Sequence, residues 1–131
     1  MRKIKFRAWD HFNKVFAASY DKINGSEISI TFDGALIISG RDGYYDLEFK
    51  RYTIQQFTGL EDRNGKEIYE GDILQVLGAG KCPVVWDRYF FDLDNYDQYS
   101  MDNQFSAFYN LEPQEMTVIG NIFENPDLIP L

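Results

Sequence analysis

The chain has few cysteine and histidine residues and no long apolar run, so it lacks the usual sequence features of disulfide pairing, metal binding and export. It has one cysteine, Cys82, one histidine, His11, and four prolines in 131 residues. A single cysteine excludes an internal disulfide, and no second cysteine supplies metal-site spacing. No apolar run approaches the roughly 20 residues of a membrane span, and no apolar signal core follows the N-terminal basic residues. We therefore expect a soluble protein of a reducing cytoplasm, without cofactor, metal or membrane partner.

Apolar residues are abundant by contrast. Hydrophobic residues make up 44% of the chain and aromatic residues 17%, which excludes a disordered polymer. A chain of this length can bury roughly two thirds of the surface that its unfolded form exposes. The composition predicts a globular protein of one domain or two small subdomains.

The negative charge is concentrated in the second half of the chain. Residues 1–60 carry nine Lys/Arg against seven Asp/Glu, a net +2, and residues 61–131 carry four against fourteen, a net −10. Affinity for a nucleic-acid backbone comes largely from cationic side chains, so direct nucleic-acid binding is disfavoured. The acidic half either keeps the domain soluble or faces a cationic partner.

Hydrophobic periodicity is close to two along most of the chain. In residues 3–8 the apolar Ile4, Phe6 and Ala8 alternate with basic residues, which predicts a half-buried strand with a wet basic face. Asp33-Gly34 predicts a hairpin turn. Pro83 lacks an amide donor, which places its strand at a sheet edge or a bulge. Further strands are expected at 14–20, 28–32, 36–39, 45–49, 72–77, 82–86, 89–93 and 116–120.

These patterns predict a mainly β fold, or a β-rich α+β fold. An N-terminal β-meander occupies residues 1–55, and a compact, small barrel-like β subdomain occupies residues 56–131. A short helix is expected within 104–110, and one helical turn after Asn125-Pro126.

Two phrases are rich in turn-forming residues: FTGLEDRNGKEIYEGDI at 57–73 and VIGNIFENPDL at 118–128. Asn64-Gly65 predicts a tight turn, and Gly71 at a strand entrance predicts a positive φ or a bulge. Asp72 is interpreted as a cap of local backbone amides, with a ligand role as the alternative. The residues interpreted as structural are Gly59, Asn64, Gly65, Gly71, Asp72, Gly120, Asn125 and Pro126.

Together with the opening IKFRAWD, these phrases resemble the YopX family of phage and prophage proteins. The resemblance covers the first ten or so residues, 56–76 and 116–128, with the three phrases in the family's order. It implies a phage or prophage accessory protein and brings no catalytic residue with it. Residues 14–50 and 87–112 lie outside it.

Residues 86–109 interleave aromatic and acidic side chains. Aromatic rings with polar tips are enriched in interaction surfaces, so this segment is a candidate contact surface. The alternative is that Trp86, Phe90, Phe105 and Phe108 fill the core while the acids stay in water. The candidate binding residues are Tyr89, Asp92, Asp94, Tyr96, Asp97 and Tyr99.

Catalytic patterns are sparse. His11 lies beside Asp10 without a nucleophile motif, and Asp92-Leu93-Asp94 begins like a calcium loop but lacks the loop's later glycine and glutamate. The function that we expect is non-catalytic: binding of a protein partner or self-association, as a dimer or trimer. The alternatives are an acidic mimic of nucleic acid that acts on a host DNA-binding protein, or a small metal-dependent hydrolase that uses Asp72, Asp87, Asp92 and Asp94.

Overall fold

A computed structural model describes residues 3–17, 20–21, 26–30, 36–40, 43–46, 52–87, 90–94 and 107–130. The strands are β1 Phe6–Asp10, β2 Val15–Phe16, β3 Tyr20–Asp21, β4 Ser26–Ile30, β5 Leu36–Gly40, β6 Gly43–Asp46, β7 Tyr52–Glu61, β8 Glu67–Tyr69, β9 Asp72–Val76, β10 Gly80–Asp87, β11 Phe90–Leu93 and β12 Met116–Asn121. Short 3₁₀ helices lie at Ala107–Asn110, Pro113–Glu115 and Pro126–Leu128. No helix in the described residues is long and apolar enough to cross a membrane.

The strands form three four-stranded sheets, with the orders β2-β1-β7-β8, β3-β4-β5-β6 and β11-β10-β9-β12. The strand pairs whose register is defined are antiparallel. One sheet curls into a half-barrel. The prediction of a mainly β, barrel-like fold is therefore confirmed.

The chain divides into two compact units. The N-terminal unit is residues 7–54, and the C-terminal unit is residues 1–6 together with 55–131. The first six residues thus belong with the second half of the chain. The division into subdomains at 1–55 and 56–131 stays a prediction.

The N-terminal unit contains the predicted meander. A turn between β1 and β2 is capped by Asp10, whose Oδ1 accepts the backbone N–H of Phe12 at 2.9 Å and whose Oδ2 accepts the Asn13 side-chain amide at 2.9 Å. Strands β4 and β5 pair with Ile30 opposite Leu36. This is the hairpin predicted from Asp33-Gly34, although that turn itself lies outside the described residues.

The C-terminal unit has the hydrophobic core. Antiparallel pairing of β9 with β10 and β12 brings alternate apolar side chains to one side, where burial stabilises them by roughly 1.5–3 kcal/mol each. The helix at Ala107–Asn110 packs on β11 and contributes Phe108. The core residues are Ile68, Leu74, Val76, Cys82, Val84, Phe91, Leu93, Phe108 and Met116.

Strand β10 lies between β9 and β11 in its sheet, so of the two positions predicted for Pro83, an edge strand or a bulge, the edge strand is wrong. Strand β10 changes partner at this residue: Pro83 is the last residue that pairs with β9, and Val84 is the first that pairs with β11. The Pro83 carbonyl accepts the N–H of Asp94 at 2.8 Å. The missing proline donor therefore falls at the point where one ladder ends and the other begins.

The burial predicted for residues 3–8 is also partly wrong. Ala8 is buried, but Ile4 is 67% exposed and Phe6 is 44% exposed. The basic side chain between them points to the protein instead: Lys5 Nζ lies 2.8 Å from Glu67 Oε2 and over the Phe57 ring. The apolar side chains alternate with it and so face away.

Candidate functional site

The two turn-rich phrases meet in the C-terminal unit. We call these segments, taken as residues 56–73 and 116–128, the signature phrases. They are joined by backbone hydrogen bonds at two points: the Arg63 N–H donates to the Met116 carbonyl at 3.0 Å, and the Ile122 N–H donates to the Gly71 carbonyl at 2.8 Å. Backbone hydrogen bonds thus join two segments that are about fifty residues apart in the chain.

Asp62 organises the first contact. Its side chain is buried; Oδ1 accepts the backbone N–H groups of Asn64 at 2.8 Å and Lys66 at 2.9 Å, and Oδ2 accepts the N–H of Val118 at 2.9 Å. The first two bonds fix the turn that Asn64-Gly65 predicts, in which Gly65 has φ +76°. The third bond holds β12, the edge strand of its sheet. One carboxylate therefore forms the turn and covers the strand edge.

These bonds also set the ionisation of Asp62. Burial disfavours the charged form, but the N–H donors of Val118, Lys66 and Asn64 and the Lys66 charge outweigh it and lower the pKa of Asp62 below its usual value. An Asp that accepts several backbone donors is stabilised as the anion.

The lowered pKa predicts a pH dependence of stability. Asp62 binds its proton less readily in the folded chain than in the unfolded chain, so its contribution is complete above the unfolded pKa of about 3.9 and is lost as the pH falls through the folded pKa. Urea unfolding between pH 5 and 2.5 should therefore show a loss of stability in wild type that is smaller in Asp62→Asn. Parallel curves for the two proteins would contradict the assignment.

A second group of buried polar side chains lies at the other contact. Gln55, Asp72 and Asn121 are all buried. The Asn121 side-chain amide donates to Asp72 Oδ1 at 3.3 Å and to Gln55 Oε1 at 3.4 Å, and Asp72 Oδ2 accepts the Tyr69 N–H at 2.9 Å. Asp72 thus caps a local backbone amide, as the sequence predicts. We call Gln55, Gly71, Asp72 and Asn121 the polar cluster.

The polar cluster requires a glycine at position 71. Its φ is +84°, the positive value predicted for it, and a Cβ on its Cα would collide with the amide nitrogen of Gln55. The side chain of Gln55 thus occupies the space that any other residue at position 71 would fill.

The end of the second phrase is closed in a similar way. The Asn125 N–H donates to the Asn121 carbonyl at 2.8 Å, and Asn125 Oδ1 accepts the Asn121 N–H at 3.1 Å. A Cβ at Gly120 would lie 2.6 Å from this Asn125 oxygen. Pro126 then begins the last 3₁₀ helix, the single turn predicted there.

The polar side chains of the signature phrases hold segments of the backbone in position. Among the described residues, no buried side-chain nitrogen or oxygen is left without a hydrogen-bond partner. In the same part of the chain, no three His, Cys, Asp or Glu side chains are grouped as metal ligands. Of the proposed set of Asp72, Asp87, Asp92 and Asp94, the side chain of Asp87 lies outside what the structure describes. The Cys82 thiol is in the core, where burial and then the Asp94 charge raise its pKa. His11 Nε2 lies 2.6 Å from Thr53 Oγ1 in the N-terminal unit.

Only part of the acidic and aromatic segment is described. Tyr89, Tyr96, Asp97 and Tyr99 lie outside the described residues. Asp92 is half-buried on β11, where its Oδ1 accepts the Leu93 N–H at 2.8 Å, and Asp94 is exposed just after the strand.

The aromatic residues of this segment divide between core and surface. Phe108 is fully buried, as the core-filling alternative predicts, but Trp86 is 52% exposed. Trp86 lies opposite Phe91 in the β10–β11 ladder, and the ring centroids are 4.8 Å apart at 73°. Its ring thus sits at the rim of the core with about half of its surface in water.

Three residues that build the signature contacts were missed from the sequence: Asp62, Gln55 and Asn121. For Asp62 a local signal existed, since Asp two residues before an Asn-Gly turn commonly accepts its backbone amides. For Gln55 and Asn121 no local signal existed, because their partners lie 66 residues apart.

Comparison with known proteins agrees with this geometry. The family model described as YopX protein matches residues 5–130. The chain belongs to the YopX family. The resemblance of the three phrases is thereby confirmed, and the match extends across the segments that those phrases left out.

A similar solved structure is the crystal structure of protein EF1440 from Enterococcus faecalis. That crystal structure is 27% identical to this chain, with a TM-score of 0.58, and the match covers 98% of this chain and 99% of that chain. No curated protein matches the chain.

Proposed function

We propose that this YopX chain is a non-catalytic accessory protein of a phage or prophage that acts in the bacterial cytoplasm by binding protein. The observation that carries the proposal is the half-exposed ring of Trp86, which lies at the rim of the core against Phe91 of β11. Large aromatic side chains are the commonest anchors of protein interfaces, and exposing one to water brings no stability to an isolated domain.

The signature phrases and strands β10 and β11 differ in which side chains are buried, and this difference supports the same proposal. In the signature phrases, Asp62, Asp72 and Asn121 are buried and bonded within the unit. In β10 and just after β11, by contrast, Trp86 and Asp94 are exposed. These differences favour recognition by β10 and β11 and a folding role for the phrases.

We expect Trp86→Ala to abolish capture of partner proteins. Tagged wild type and variant would serve as bait in extract of infected or lysogenic cells, with captured proteins quantified by mass spectrometry. The matched control is Phe12→Ala, which removes a ring that is 67% exposed in the N-terminal unit. Truncating an interface anchor costs at least about 2 kcal/mol, or roughly thirtyfold in affinity.

The control decides how the result is interpreted. A partner lost with Trp86→Ala but retained with Phe12→Ala supports the proposal, provided that both variants melt near the wild-type temperature. Equal capture by all three baits would remove Trp86 from the contact surface. Capture of no protein, including added untagged copies of the chain, would contradict the proposed function.

A further inference from the structure

The N-terminal residues of the C-terminal unit present apolar side chains to solvent. We call residues 3–6 the N-terminal stripe. The Lys5 carbonyl accepts the Phe57 N–H at 2.8 Å, and its side chain pairs with Glu67, so this face of the stripe is held against the protein. Ile4 and Phe6 alternate with Lys5, project from the opposite face and are exposed. Lys3, the next residue towards the N-terminus, is also exposed. The stripe is thus an apolar surface with a positive charge beside it.

The same unit has a surface of complementary character. Val85 lies opposite Asp92 in the β10–β11 ladder, so both side chains are on one face, and Phe91 and Leu93 occupy the other face in the core. Val85 is exposed and Phe90 is half-buried. With exposed Asp94, these residues form an apolar surface with negative charge, which we call the β10–β11 outer face.

Charge decides which surfaces can meet. Two N-terminal stripes would bring together Lys3 and Lys5 from each copy, and the stripe contains no acidic residue. Two outer faces would bring together Asp92 and Asp94 from each copy. Like charges across an interface suppress such pairings, and opposite charges favour the mixed contact.

We propose that the N-terminal stripe of one copy docks on the β10–β11 outer face of a second copy. Ile4 and Phe6 then cover Val85 and Phe90, and Lys3 lies near Asp94. The inference rests on the proposed function, since it names the chain itself as a partner of the β10–β11 region. Because the two surfaces differ, the contact is heterologous and builds a closed ring or a chain of copies.

The test is a charge exchange followed by sedimentation equilibrium. Lys3→Glu and Asp94→Lys should each weaken self-association at least about tenfold, because each places like charges at the contact. An equimolar mixture of the two variants should regain assembly, since Lys3 of one protein again meets Asp94 of the other. Matched controls are Lys14→Glu and Glu124→Lys, exposed residues outside both surfaces, which should assemble like wild type.

The salt dependence provides a second readout. Assembly should weaken as the salt concentration rises, because charges further apart than about 8 Å are screened at physiological ionic strength. Circular dichroism melts verify that every variant is folded, and the mixture verifies that each single variant retains one intact surface.

Three results would overturn the contact. They are wild type that stays monomeric over a hundredfold concentration range, single variants that assemble like wild type, and folded single variants whose mixture stays monomeric. The first and third leave the proposed function standing wherever Trp86→Ala still loses a captured protein of another kind. If no bait captures a host protein but the Lys3→Glu and Asp94→Lys mixture assembles as expected, the function is limited to self-assembly.

Discussion

Gly71→Ala is expected to destabilise the C-terminal unit by about 3 kcal/mol. The backbone strain of a non-glycine residue at φ +84° accounts for about 1 kcal/mol. The remainder comes from displacement of the Gln55 amide, which the new methyl group would strike, and from the loss of its bond with Asn121. Urea unfolding followed by tryptophan fluorescence and far-ultraviolet circular dichroism measures the change.

Gly78→Ala separates the two contributions. Gly78 has nearly the same φ, +82°, but a Cβ there would have nothing within 4 Å. We expect it to cost only the strain, about 1 kcal/mol. A second control is Gly71→Ala in a Gln55→Ala background, where the methyl group has room and the additional cost should be close to that of Gly78→Ala. Equal losses for the two single variants would show that Gln55 does not constrain position 71.

The features that the sequence predicts well are those with local causes. Asn64-Gly65 forms its turn, and Gly71 takes a positive φ, because few residues other than glycine tolerate that conformation. Strands β9, β10, β11 and β12 lie close to the predicted ranges, since alternation of buried apolar residues is visible within five or six positions.

Strand β7 was missed because a bulge interrupts its alternation. The ladder with β8 shifts register between Phe57 and Glu61, and Gly59 within the shift has φ +89°. Thr58, which looks like a surface residue in the sequence, is buried and donates its hydroxyl to the Ile68 carbonyl at 2.7 Å. A bulge changes which side chains face inward, and a period-two pattern does not reveal it.

The polar contacts between the signature phrases depend on tertiary structure alone. Asp62 and Val118 are 56 residues apart, and Asp72 and Asn121 are 49 apart. The sequence identifies both phrases as structural but does not indicate that they meet. For the same reason, the burial predicted for Ile4 and Phe6 is wrong. Their alternation with Lys5 is correct, but it is the Lys5 side chain that contacts the protein, through Glu67.

Asp62→Ala is expected to cost about 3 kcal/mol, the other large effect in this chain. The substitution leaves three backbone N–H groups without their acceptor, and a hydrogen bond to a charged group contributes roughly 1.5–3 kcal/mol. Those of Asn64 and Lys66 lie on exposed residues and can turn to water, so the loss is less than the sum of three bonds. The Val118 N–H, on the half-buried edge of β12, has the poorest replacement.

Hydrogen exchange locates that loss. In Asp62→Ala the amide of Val118 should exchange much faster than in wild type, while the amides of β9 that pair with β10 change only by the global loss of stability. Asn64→Ala is the matched control: it alters the same turn but keeps the backbone donor, so its cost should stay below about 1 kcal/mol. If the Val118 amide exchanged as slowly in Asp62→Ala as in wild type, the Asp62 carboxylate would not protect the edge of β12. Asp62 would then stabilise only the turn at Asn64-Gly65.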